Sequence, residues 1–301
     1  MRIAAVSDIH VRPDKGDEPL IEEIHSRVEE ISPDVFVIAG DVSNRIAALS
    51  DTLVRLRVSS AMNLFVPGNH DIWFEEKIGL GSLEKYSTTL SEVCRESGFL
   101  YLPDAPYVKK KMAFVGSIGW YDYSFKREDL EIPYKAYAQK EWKGNIWYDL
   151  LCIDWGYTDV EATTLFNRKL EYDLSVLSKS ITQVVFVSHH LPFRDLTLYK
   201  ERLPWDFFSA FMGAESIGRL LLCDGRVVLS ISGHSHIRMQ KQFNGISAFT
   251  VPLGYGRPAD GNYSDLARKA VAHIEVVDGS VEALDFVEGD ICKGMPYANT
   301  R

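Results

Sequence analysis

Metal-binding side chains recur in this chain at the ends of apolar runs: Asp8-Ile9-His10, Gly40-Asp41, Gly68-Asn69-His70-Asp71, His189-His190 and Gly233-His234-Ser235-His236. Carboxylate, imidazole and amide groups are donors that suit divalent first-row transition ions. Two such ions roughly 3.5 to 4 Å apart turn water into a nucleophile near neutral pH and clamp the oxygens of a phosphoryl group. That chemistry needs one carboxylate able to bridge, and Asp41, isolated behind Gly40, is the natural candidate. Asp8 and His10, two apart, can both enter one cavity from a turn. Taken singly, each residue is more often a turn aspartate or a surface histidine; the ordered set makes a two-metal hydrolase site the best reading.

The runs before these segments are Ile3–Val6, Val35–Ile38, Asn63–Val66, Val184–Val187 and Val227–Ile231. They are short and mostly β-branched or aromatic, the pattern of strands buried on both faces. In an open α/β sheet ligands bind beyond the carboxyl ends of the strands, so residues leaving five strand ends can converge. Leu20, Ile21, Ile24, Val28 and Ile31 recur at helical spacing, and Asn44–Leu56 and Ser82–Ser97 predict two further helices between strands. Alternation of this kind builds a parallel sheet covered by helices.

After residue 240 the pattern turns to strands and tight turns: Gln240–Val251, Ala272–Val277 and Val281–Val287, with Asp278-Gly279 as a hairpin turn. These predict a second, largely antiparallel sheet packed on the first. The expected architecture is α/β, two packed mixed β-sheets flanked by helices, in a single domain over residues 1–301. A boundary between residues 8 and 236 would split the site. Gly119–Thr158 holds Trp120, Trp142, Trp147 and Trp155 in a stretch of weak periodicity. Such a segment is an ordered insertion near the site, as a cap or as core, rather than a linker. A helix from about Val160 to Leu177 then returns to the sheet.

With 301 residues, 46% of them hydrophobic, the chain can bury a large core. Its formal net charge of -9 works against binding a long polyanion, and Lys109-Lys110-Lys111 is the only dense basic run. Cys94, Cys152, Cys223 and Cys292 form no Cys-x-x-Cys pair, which predicts free thiols in a reducing compartment. No run approaches the roughly 18 apolar residues of a membrane span. Met1 opens almost directly into a strand, leaving no room for a signal peptide. The expectation is a cytoplasmic enzyme for a small-molecule phosphoester, with no membrane or nucleic-acid partner and an undetermined oligomeric state. Neither a Gly-x-Ser-x-Gly elbow nor a phosphate-binding or dinucleotide fingerprint is present, so covalent serine and nucleotide-driven mechanisms have no support.

Asp-x-His, Gly-Asp-x-x-Asn (Gly40–Asn44), Gly-Asn-His-Asp, a strand ending in His and Gly-His-x-His, in that order over residues 3–236, resemble the calcineurin-like metallophosphoesterases. The resemblance implies a double β-sandwich flanked by helices. It implies that Asp8, His10 and His236 hold one metal, that Asn69, His189 and His234 hold the other, and that Asp41 bridges them. His70 would protonate the leaving group or stabilise phosphoryl charge, with Asp71 orienting its imidazole. The ligand set suits Mn, Fe, Zn, Co or Ni, with Mn or Fe favoured.

Four further residues are substrate candidates. His190 would lie near the site or simply pack. Arg257 could reach a substrate phosphate or stay a surface arginine, and Trp120 and Tyr121 would wall the pocket or join the core. The expected reaction is hydrolysis of a phosphomonoester or phosphodiester by attack of metal-bound hydroxide. The alternatives are a nuclease of the DNA-repair branch of the family and a non-catalytic binding scaffold.

Overall fold

A computed structural model describes residues 1–296. Fourteen strands are described: β1 Arg2–Val6, β2 Val35–Ala39, β3 Met62–Val66, β4 Leu100–Tyr101, β5 Tyr107–Lys109, β6 Met112–Ser117, β7 Glu141–Trp142, β8 Asn145–Ile146, β9 Gln183–Ser188, β10 Val227–Ser232, β11 Met239–Phe243, β12 Ile246–Thr250, β13 Ala272–Val277 and β14 Ser280–Leu284. Twelve of these form two six-stranded sheets, ordered β14-β13-β1-β2-β3-β4 and β11-β12-β10-β9-β6-β5. In the first sheet β1 to β4 run parallel and β13 and β14 add antiparallel at the edge. In the second, β6, β9, β10 and β12 are parallel and only the outermost pairings are antiparallel.

Alternation along each strand explains the layering. Ile3, Ala5, Val35, Val37 and Leu64 face the other sheet, where Phe114, Val185, Val187, Leu229 and Ile231 meet them. Ala4, Val6, Phe36, Ile38 and Phe65 point the opposite way, against Leu20, Ile24, Leu49 and Leu53 of helices Glu18–Ile31 and Ile46–Leu56. The second sheet turns Ala113, Val115, Val184 and Phe186 onto Leu170, Leu174, Ile217 and Leu221 of helices Asp159–Ser175 and Glu215–Cys223. Both faces of each central strand are therefore apolar, which is why the strands read as unbroken runs. Each fully buried Val, Leu, Ile or Phe contributes roughly 1.5–3 kcal/mol, so the four layers hold the strand ends firmly.

Two expectations are corrected. Residues after 240 do not make a second, antiparallel sheet of their own: β11 and β12 extend one sheet beside β10, while β13 and β14 extend the other beside β1. Periodicity marks a strand but carries no information about its long-range partner. Both hairpins nonetheless turn as their residues require, with Asn244 and Gly245 at φ 45° and 92° and Asp278 and Gly279 at 49° and 88°. The helix expected over Ser82–Ser97 is interrupted by a π-helical turn at Lys85–Thr89. At its start Lys85 is drawn inside, donating to the carbonyls of Asn44 and Trp73 and pairing with Glu75.

The aromatic segment folds into short pieces, helix Tyr134–Ala138, the β7–β8 hairpin and helix Asp149–Cys152. Thr158 then starts helix Asp159–Ser175 with a reciprocal capping box to Glu161. Cys94, Cys152, Cys223 and Cys292 are all free. No helix of the described residues is long and apolar enough to cross a membrane.

Candidate metal centre

The five segments leave the carboxyl ends of β1, β2, β3, β9 and β10, neighbours across the two sheets. Most turn abruptly: Asp8, His10, Asp41, His234 and His236 all adopt positive φ, between 46° and 68°. Non-glycine residues hold that conformation at a cost, and the surrounding loops fix it here. The amide of Asp8 donates to Gly40 O, that of His10 to Asp41 O, and that of His234 to the Asp8 carboxylate. Close approach excludes side chains at two glycines. A Cβ on Gly40 would lie 2.5 Å from Gly68 N and 2.6 Å from His189 Nδ1, and one on Gly68 would strike the Asp41 carboxylate.

Asp41 lies at the centre. Its Oδ2 is 3.3 Å from His189 Nε2, 3.7 Å from His10 Nε2 and 3.9 Å from His70 Nε2. On one side His236 Nε2 sits 3.1 Å from both Asp8 Oδ1 and His10 Nε2. On the other, His234 Nδ1 is 3.1 Å from His189 Nε2. Three groups of donors thus cluster tightly enough for an ion: Asp8, His10 and His236; Asp41, His189 and His234; and His10, Asp41 and His70.

The donor atoms fit a cation. His189 Nδ1–H donates to Ala39 O and His234 Nε2–H to Phe211 O, since a carbonyl can only accept. Their remaining ring nitrogens face each other at 3.1 Å, an arrangement that calls for a proton or a metal ion between them. Asn69, which lines the same cavity as His234, has its Oδ1 buried with no hydrogen-bond partner. Burial opposes charge on His189, yet the contact and charge of Asp41 outweigh it and raise that imidazole to about 9. Burial likewise pushes the Asp41 carboxyl up, but His189, His70 and His10 outweigh it and hold it well below the usual range. His10 and His234 are driven well below ordinary histidine by burial and by their imidazole neighbours. Neutral His10 and His234 and ionised Asp41 are thus in the forms that ligate metals, while the proton that Asp41 holds on His189 is one an incoming ion would have to displace.

His70 stands at the rim, its ring stacked on Trp73 at 3.8 Å and its Nε2 3.3 Å from the Tyr255 hydroxyl. Asp71 does not orient it. The Asp71 carboxylate accepts from the backbone amides of Asp41, Val42, Ser43 and Gly68 at 2.8–2.9 Å, pinning the loop that carries Asp41. Among the described hydrogen bonds it makes none to the imidazole, and burial and the Asp41 charge raise it to about 7 against those amides.

Of the substrate candidates, His190 packs beside the cluster, its ring 4.2 Å from that of His234, and the other three take the alternatives away from the cavity. Arg257 is buried and spends its guanidinium on Asp17 and the carbonyls of Ile9, His10, Gly254 and Gly256, bracing the loop that carries His10. Trp120 and Tyr121 are fully buried and bonded to Asp159 and Asp149, away from the cavity wall. His190 is buried as well, its Nδ1 donating to Ile118 O; burial and the charge of His189 lower it to about 3. Sequence reasoning missed Tyr255, which stacks on His10 at 4.2 Å, and Asp149. The Gly254-Tyr255-Gly256 setting, which frees the backbone around one large side chain, was the available signal for the first.

A helix–sheet–sheet–helix sandwich with a polyhistidine and carboxylate cluster at its strand ends defines a metal-dependent phosphoric ester hydrolase. The chain belongs to the calcineurin-like phosphoesterases, whose family profile matches residues 1–238. It is 24% identical over 273 residues to the acyl-carrier-protein phosphodiesterase PptH of Mycobacterium tuberculosis, covering 84% of this chain and 78% of that protein. The crystal structure of that organism's phosphopantetheinyl hydrolase PptH superposes with a TM-score of 0.66 at 22% identity, over 84% of this chain and 89% of the other. A dimetal phosphatase from Danio rerio shares the fold, with a TM-score of 0.56 at 12% identity over 97% and 96% of the two chains.

Proposed function

We propose that this chain hydrolyses a phosphodiester whose organic arm is uncharged, with Asp8, His10 and His236 holding one divalent ion, Asn69, His189 and His234 a second, and Asp41 bridging them. The observation that carries the reading is the cavity beside the cluster. It measures about 330 Å³ and opens onto Asp41, Asn69, His70, His234 and His236. Much of its remaining lining is apolar: Trp147, Leu198, Trp205, Phe208, Met212 and Ile237. Among the described residues Lys200 is its only lysine or arginine, and the Lys200 ammonium rests 3.2 Å over the Trp205 ring. Such a wall favours an alkyl, amide or flat group over a second phosphate. The likeness to an acyl-carrier-protein phosphodiesterase supports a carrier-protein diester as the macromolecular substrate to try first.

When bound, the ions supply a nucleophilic water and neutralise the phosphoryl oxygens. The protein supplies orientation. Asp41 presents Oδ2 to both sides, while its Oδ1 accepts from the His70 amide at 2.9 Å and so fixes the carboxylate plane. His70, which lines the cavity, would deliver a proton to the departing oxygen. Mn or Fe come first among Mn, Fe, Zn, Co and Ni, and the four free thiols support a reducing, cytoplasmic setting. Residues 1–301 are taken as one domain in which the 119–158 segment walls the cavity through Trp147.

Metal-reconstituted protein should cleave bis-p-nitrophenyl phosphate and holo-carrier protein. Trp205→Ala and Phe208→Ala should raise KM for the ester with the longer uncharged arm and leave that for p-nitrophenyl phosphate unchanged. Faster turnover of single-stranded DNA than of any small ester, or no turnover with any metal, would overturn the reading.

A further inference from the structure

Asp149 sits in the aromatic segment, fully buried, and all four of its partners are neutral donors. Its Oδ1 accepts from Asn69 Nδ2 at 2.9 Å and from Trp73 Nε1 at 2.8 Å; its Oδ2 accepts from the Tyr121 hydroxyl at 3.0 Å and Trp147 Nε1 at 2.8 Å. A carboxylate cannot donate, so only the NH₂ half of the Asn69 amide can face it. The carbonyl half is thereby turned away from Asp149, and Oδ1 lies buried without a partner in a residue that lines the same cavity as Asp41, His234 and His236. An unpartnered oxygen held in one orientation is what a metal site requires of an amide, because an asparagine free to flip would present N–H to the cation.

The same carboxylate reaches further. Trp73, which shares Asp149 Oδ1 with Asn69, is the platform on which the His70 ring stacks. Trp147, on the other oxygen, lines the cavity and stacks on Phe211 at 5.3 Å, and the Phe211 carbonyl fixes the His234 tautomer.

We infer that Asp149 is a positioning residue for the metal centre: it locks the Asn69 amide with its oxygen toward the second ion and backs the His70 ring through Trp73. The inference rests on the ligand assignment proposed above. The 119–158 segment then forms part of the metal site's supporting shell, and its excision removes a metal position rather than a cover. Partners of this kind, behind a ligand, typically change metal affinity by about 10- to 100-fold.

The test titrates metal-free wild type, Asp149→Asn and Asn69→Ala with Co²⁺, following the visible spectrum and bound metal, with circular dichroism as the control for folding. In Asp149→Asn the new amide can offer N–H to Asn69, letting that side chain flip. The second equivalent should then bind about 10- to 100-fold more weakly, with the first unchanged. Asn69→Ala should lose the second equivalent outright. If Asn69→Ala still binds two ions, the ligand assignment fails. If Asn69→Ala binds one while Asp149→Asn binds two with wild-type affinity, the assignment stands and the positioning role is overturned.

Should Asp149→Asn fail to fold, nuclear magnetic resonance of the metal-free wild type decides. One Asn69 Nδ2 proton, identified by its loss in Asn69→Ala, should be shifted downfield and protected from solvent exchange. Two equivalent, fast-exchanging protons would overturn the inference.

Discussion

Asp71→Asn separates two roles for this buried carboxylate. In the structure each oxygen accepts two backbone amides: Oδ2 those of Asp41 and Gly68, Oδ1 those of Val42 and Ser43. An asparagine keeps one oxygen and turns an NH₂ toward the other pair, leaving two buried donors unpaired. Each costs about 1–3 kcal/mol, so the variant should lose about 2–6 kcal/mol. At the low end of the usual conversion, near 2 °C per kcal/mol for a chain of this size, that is a fall in Tm of about 4–12 °C. Calorimetry on metal-free protein measures the loss without the contribution of bound ions. Metal affinity should weaken along with stability, because the loosened loop carries Asp41. Wild-type Tm and metal content, with activity lost only on esters of poor leaving groups, would refute this and return Asp71 to the orientation of His70.

Asp41→Asn should lose more than one metal equivalent and nearly all activity while keeping a wild-type circular dichroism spectrum; elemental analysis showing two metals in an active variant would reject Asp41 as the bridge. His70→Ala should retain both metals and slow turnover by about 10²- to 10⁴-fold on alkyl esters, less on p-nitrophenyl esters. Equal losses on the two would exclude proton donation and leave charge stabilisation. Arg257→Ala leaves Asp17 paired with Arg12 but strips buried carbonyls of their donor, and should cost about 1–3 kcal/mol with KM unchanged. A raised KM at unaltered Tm would mean that Arg257 contacts substrate after all.

Much of this protein was legible in one dimension, for reasons that are local. A strand buried on both faces must be apolar throughout, so Ile3–Val6 or Val184–Val187 declares itself, and a helix between two layers must repeat its apolar residues as Leu20, Ile24, Val28 and Ile31 do. Donors placed just past such runs converge because parallel strands end on one side, and the structure does bring Asp8, His10, Asp41, Asn69, His189, His234 and His236 together.

What only the tertiary structure decided concerns partners rather than elements. Strand pairing is a choice made across the chain, and nothing in β11 to β14 says which sheet each pair will join. The direction of a polar side chain beside the site is equally non-local. Asp71 follows His70 in sequence yet serves Asp41, Arg257 turns inward to Asp17, and Asp149 reaches Asn69 across 80 intervening peptide links. Such groups are assigned by where buried charge can find its donors, and that depends on every layer being packed at once.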